Sequence, residues 1–125
     1  MVQSTAYAAN PGHKIIVTPF DGRVVVSFNG VVVADTLRAL SLKEASYPSR
    51  LYLPRADCNM AHFIESSHMT KCPFKGTARY WSLSTKDGTS DNAVWGYDDP
   101  FDQVAEIAGH VAFYPDRVDI RMGGG

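Results

Sequence analysis

Cysteine is scarce in this chain: Cys58 and Cys72 are the two it has among 125 residues. Two thiols build no disulfide framework, which argues for a reducing compartment, although one bridge between them is geometrically open. An excess of charge is absent as well. Twelve Lys and Arg face thirteen Asp and Glu, a formal net charge of -1, so no broad field attracts phosphate backbones or anionic lipid. Neither nucleic acid nor a membrane surface is therefore an expected partner. No apolar run approaches the roughly 18–20 residues that a bilayer-spanning helix requires. The opening, Met1-Val2-Gln3-Ser4-Thr5-Ala6-Tyr7, lacks a basic segment followed by an apolar one. It predicts no secretion signal and hence a cytoplasmic protein. G-x-S-x-G, the P-loop and G-x-G-x-x-G are also missing, so three common hydrolase and nucleotide-binding signatures lend no support.

What is present reads as one mainly β domain. A hydrophobic content of 45% in 125 residues is enough for one core without disulfides or a structural metal. Residues 1–12 read as an irregular leader, 13–122 as the domain and 123–125 as a flexible tail. Asn29-Gly30 sits between Arg23-Val24-Val25-Val26-Ser27-Phe28 and Val31-Val32-Val33-Ala34, the strongest short-range hairpin signal. Residues 14–18, 36–42 and 50–53 read as further strands. A second hairpin runs over residues 77–97, with Asp87-Gly88 as its turn. That register sets Tyr80 opposite Trp95, with Trp81 and Val94 on the other face. Residues 109–121, turning at Pro115-Asp116, predict a third hairpin. Residues 55–67 hold one or two helical turns, with Asp57 as the cap, and residues 101–107 a further turn. Hairpins with short helical turns make a compact β-barrel or sandwich, which protects strand edges.

The chemistry concentrates in Thr70-Lys71-Cys72-Pro73-Phe74-Lys75-Gly76. An ammonium near a thiol favours thiolate, the reactive form, and a desolvated lysine is itself a nucleophile. The plainer alternative makes Cys72 a small buried apolar group and Lys75 a solvated turn residue. In Tyr52-Leu53-Pro54-Arg55-Ala56-Asp57, Arg55 offers an anion contact and Asp57 a general base, unless both only serve the turn. Tyr80, Trp81, Trp95 and Tyr97 either floor a pocket for a planar ligand or form core; one Trp is expected inside and one partly exposed. Cys58, His62, His68 and Cys72 follow as C-x3-H-x5-H-x3-C. Structural zinc sites use tighter cysteine spacings, so no metal and no cofactor are expected.

Several of these blocks together resemble the bacterial and fungal domain of unknown function family 427. They are Leu51-Tyr52-Leu53-Pro54-Arg55-Ala56-Asp57, the stretch from Thr70 to Trp81, Ala93-Val94-Trp95-Gly96-Tyr97 with Pro100, and Ala112-Phe113-Tyr114. Pro11-Gly12-His13 and Ala34-Asp35 extend the likeness over nearly the whole chain. The resemblance implies a small mainly β fold. It also places His13, Arg23, Tyr52, Asp57, Thr70, Cys72, Lys75, Trp95 and Tyr97 at the family's polar and aromatic motif positions. Cys58 departs from the pattern, where an aliphatic residue is usual, and Thr36 replaces Ser. A nucleotidyltransferase-like label attaches to the family, but G-S followed by D-x-D, the pattern for metal-dependent nucleotidyl transfer, is absent here. Together these readings predict a pocket for a small polar or anionic molecule beside the Cys-Pro-Phe-Lys-Gly loop. Lys75, Cys72, Asp57 and His13 are its catalytic candidates. Arg23, Tyr52, Arg55, Thr70, Trp95 and Tyr97 are its binding candidates. The alternative is a non-catalytic interaction module whose motif residues serve the fold, and a homodimer is left open.

Overall fold

Asn29 and Gly30 carry φ values of 50° and 77°, so the two residues between Phe28 and Val31 form the mirror-image turn that the Asn-Gly pair predicts. A computed structural model describes residues 6, 9, 10 and 12–123 of the chain. The leader and residues 124 and 125 therefore lie largely or wholly outside the described residues. The strands are β1 (Ile15–Pro19), β2 (Arg23–Phe28), β3 (Val31–Thr36), β4 (Leu40–Glu44) and β5 (Arg50–Pro54). They continue with β6 (Phe63–Cys72), β7 (Gly76–Thr85), β8 (Gly88–Gly96), β9 (His110–Phe113) and β10 (Asp119–Gly123). Seven of them form one antiparallel sheet in the order β1-β4-β5-β9-β8-β7-β6, and β10-β2-β3 form a second. The large sheet ends on β1 and β6, which do not pair with each other, so the barrel alternative gives way to an open two-layer sandwich.

Alternation along the central strands fills two cores at once, because successive side chains point to opposite faces. Leu53, Trp81, Leu83, Val94, Val111 and Phe113 meet Val24, Val26 and Phe28 of the small sheet. Their neighbours Tyr52, Tyr80, Trp95 and Ala112 face the other way, where they join Ile15, Leu42, Tyr97, Val104 and Ile107. The last two come from the short 3-10 segment Asp102–Ile107, the turn expected at residues 101–107. Both tryptophans are buried, so neither is the partly exposed ring expected from the sequence.

Four local expectations need correction. The second hairpin turns at Lys86-Asp87, because Thr85 pairs with Gly88. Two extra residues on β8 shift the register between Trp81 and Leu83, which restores Tyr80 opposite Trp95 at the base of the hairpin. Residues 109–121 are not a hairpin. β9 is already flanked by β5 and β8, so β10 has no free edge there and crosses to pair with β2. Within residues 36–42 only the last three are in β4, since β3 and β4 belong to different sheets and the intervening residues cross between them. Over residues 55–67 two 3-10 turns, Arg55–Asp57 and Met60–His62, give way to β6. The side chain of Asn59, not Asp57, caps the second turn by accepting from the Ala61 N–H.

The pairing of Gly96 with Val111 brings two backbones into close approach. A Cβ at Gly96 would lie 2.6 Å from the His110 carbonyl oxygen and 3.2 Å from Val111 Cγ1. Such overpacking costs about 1–3 kcal/mol. Gly96→Ala is expected to lower Tm by roughly 4–12 °C in a domain of this size. An unchanged Tm in a thermal melt would show that β8 and β9 are not so tightly apposed.

Candidate functional site

Cys72 pairs with Gly76, closing the three-residue connection Pro73-Phe74-Lys75. Gly76 has φ of 117°, where a side chain is strained. The Lys75 carbonyl accepts the Phe101 N–H at 3.0 Å. Held at both ends, this loop aims its side chains at the β1–β4 pair. There Ile15 lies opposite Glu44, so His13, two residues earlier, lies close to the Glu44 carboxylate.

Two side chains meet on that carboxylate. Lys75 Nζ donates to Glu44 Oε1, and His13 Nε2 lies 2.9 Å from Oε2. An ionised carboxylate only accepts, so the His13 Nε2 carries the proton. The imidazole stacks on Phe74, ring centroids 3.9 Å apart at 18°. Burial alone would push the Glu44 carboxyl up, but the hydrogen bonds from Lys75 and His13 outweigh it and hold it below the usual carboxylate range. Burial pulls the Lys75 ammonium down, and the Glu44 hydrogen bond with surrounding negative groups more than reverses this. Both groups are ionised at neutral pH.

Beside this clasp lies a cavity of about 420 Å³, whose lining includes Glu44, Arg50, Tyr52, Lys75, Trp95 and Tyr97. Burial raises the Tyr52 phenol, only partly offset by a hydrogen bond with Trp95. Burial, reinforced by neighbouring Tyr52 and Cys72, raises that of Tyr97 further. Both phenols remain neutral and able to donate. Arg50 sits with its Cζ 5.1 Å from the Trp95 ring centroid, and Tyr114 is tilted against the same indole at 4.5 Å. Trp95 is thus a wall already packed by protein groups.

Volume alone does not single out this cavity, since one of about 800 Å³ lies beside Cys72, Pro73 and Arg79. Arg79 there is already matched by Asp98 and Glu65. The smaller cavity is the one that combines an interior ion pair with buried phenols, the kind of setting in which functional groups cluster.

The ten residues singled out from the sequence separate into two sets. His13, Tyr52, Cys72, Lys75, Trp95 and Tyr97 gather around the clasp and the second core. Cys72 is half-buried and unbridged, packed against that core. The other four are engaged by different partners. Arg23 forms a two-pronged pair with Asp35 at 2.8 and 2.6 Å on the small sheet. Asp57 accepts from Thr36 at 2.6 Å and from Arg38 at 2.9 Å. Arg55 pairs with Asp98 and lies over Trp81, and the Thr70 hydroxyl bonds that of Tyr80 at 3.0 Å.

Two members of the site, Glu44 and Arg50, were not singled out from the sequence. Glu44 carries no local signal, because its partners are 31 residues away in either direction. Arg50 had one: in Arg50-Leu51-Tyr52-Leu53 it shares a strand face with Tyr52. Cys58 is half-buried, its thiol pushed up to about 12 by burial, and donates to the Pro54 carbonyl at 3.5 Å. His62 bonds the Ser84 carbonyl and His68 packs on Tyr80. Among the described residues no three His, Cys, Asp or Glu side chains converge as metal ligands.

An open antiparallel sandwich with a charged clasp on the outer face of its large sheet defines the class. Residues 16–124 match the family described as Domain of unknown function (DUF427), and the chain belongs to that family. No curated protein matches it.

The clasp makes a pH signature. Glu44 is lowered on folding, so its stabilisation is present above the unfolded value near 4.5 and is lost as pH falls through the folded one. Lys75 is raised, so its contribution is complete below about 10.5 and is lost only as pH rises beyond that. Removing one partner of a buried pair costs up to about 3–5 kcal/mol. At the rim of a wetted cavity the cost is expected nearer 1–3 kcal/mol. Denaturant titrations should therefore show Glu44→Gln less stable than the native chain between about pH 5 and 10, with the gap narrowing progressively as pH falls below about 4.5. A gap that does not narrow on acidification would assign the loss to something other than the charge.

Proposed function

We propose that this protein binds a small polar or anionic molecule in the cavity between Lys75, Arg50 and the Tyr52–Tyr97 pair. The observation that carries the reading is Lys75 itself. A lysine side chain only 12% exposed, against a carboxylate only 17% exposed, is a costly arrangement for a fold to keep at a cavity wall. Two neutral phenols and a guanidinium beside it supply directed donors, the usual make-up of a small-molecule site. The family match supports the placement only as far as the chain's membership, since its description assigns no activity.

One observation favours a second, structural reading. The same pair ties the Pro73-Phe74-Lys75 connection to β4, and the His13 ring on Phe74 tightens it. On that account the clasp closes the sheet and the cavity is incidental.

A protein-observed NMR screen of small charged and neutral compounds separates the two. Binding should perturb the Trp95 indole N–H and the Tyr97 amide. Lys75→Met, provided its spectrum stays dispersed, should weaken the hits at least tenfold. Hits that map instead beside Cys72 and Pro73, or that bind Lys75→Met unchanged, would sink the proposal.

A further inference from the structure

The charge balance of this cavity points to one class of ligand. Arg50 is half-buried at its wall and pairs with no carboxylate among the described residues. Lys75 shares its charge with Glu44. Two cations therefore face one carboxylate, and the site lacks a single negative charge. A partly desolvated charge without a partner is unfavourable, so the occupant that balances the site supplies one negative charge and no more. A phosphate dianion would set three negative charges against two cations in a partly desolvated space, with one of them, Glu44, fixed in place.

The shape of the donors agrees. A guanidinium offers two parallel N–H groups matched to the two oxygens of a carboxylate. Because Arg50 lies across the Trp95 ring, its orientation is already restrained before a ligand arrives. Tyr97 lines the same space, and its hydroxyl makes no hydrogen bond among the described residues. The rest of the lining is Leu42, Pro48 and the rings of Tyr47 and Tyr52, which offer flat apolar surface beside their hydroxyls. At about 420 Å³ the cavity lies at the small end of ligand sites, which run from roughly 300 to 1,000 Å³.

Resting on the binding role proposed above, we infer that the ligand is a small monocarboxylate with a flat apolar body. Arg50 and Tyr97 receive its carboxylate, and Glu44 is the residue that excludes dianions. Glu44 is thus a specificity device as well as half of a clasp, since repulsion of the wrong partner is as selective as attraction of the right one.

Benzoate, its neutral isostere benzamide, and inorganic phosphate test this by NMR titration at fixed pH and ionic strength. Benzoate is expected to shift the Trp95 indole and Tyr97 resonances and to bind at least ten times tighter than benzamide. Arg50→Gln should lose about tenfold of the benzoate affinity. Phosphate should leave the native cavity unshifted but bind it in Glu44→Gln, where the repelling charge is gone. A dispersed spectrum for each variant shows that it is folded. Equal binding of benzoate and benzamide would overturn the carboxylate assignment while leaving a ligand site in place. Phosphate binding to the native cavity would overturn the role given to Glu44. If none of the three moves the cavity resonances while other compounds do, this inference fails alone; if nothing does, it fails together with the proposed function.

Discussion

Everything in this molecule depends on strands that are buried on both faces. β5, β7, β8 and β9 each give one set of alternate residues to the small sheet and the other set to the far side. Trp81 and Tyr80, or Val94 and Trp95, are adjacent in sequence yet serve different cores. Such strands usually read as continuous apolar runs. Here the inner set is largely aliphatic with Trp81 and Phe113, while the outer set combines Tyr52, Tyr80 and Trp95 with the small Ala78 and Ala112. A second core built from rings with polar tips packs well and still presents hydroxyls to a cavity.

That division explains where charge is tolerated. Among the described residues the inner core contains no carboxylate, ammonium or guanidinium. On the outer side, Lys75 and Glu44 are placed by two independent constraints: the tight Cys72–Gly76 closure and the β1–β4 register. Neither element alone brings the pair together. Burial works against both charges, and their mutual hydrogen bond, with His13 as third member, overcomes it. The surface pairs Arg23–Asp35 and Arg38–Asp57 are of another kind. They sit in water, where such pairs contribute little.

Local chemistry made parts of this legible in the sequence. Asn29-Gly30 specifies its own turn. The Tyr80–Trp95 pairing is present for a reason the sequence hides: the turn lies one residue earlier than Asp87-Gly88 suggests, and extra residues around Asn92, itself at φ of 51°, bring the register back. β6 left no alternation to read, since it is an edge strand with a bulge between Glu65 and Met69 and is largely exposed. The Pro115-Asp116 turn signal was real, but local signals do not say which edges are already occupied. For the site, the loop, the aromatic hairpin and Tyr52 were readable as motif blocks. Arg55 and Asp57, three and five residues from Tyr52, were drawn in by proximity along the chain. The 3-10 turn that begins after Pro54 carries them to other partners. Glu44 was invisible because only long-range pairing gives it a role.

The claim at the centre of this account is that the outer-face cavity is a seat for an anion rather than a by-product of the clasp. A crystal soaked in sodium benzoate examines it directly, through a difference map. The account predicts density for a carboxylate within hydrogen-bonding distance of Arg50 and Tyr97, with the Lys75–Glu44 pair still closed. An empty cavity at high ligand concentration, or density confined to the concavity beside Cys72 and Pro73, would contradict it.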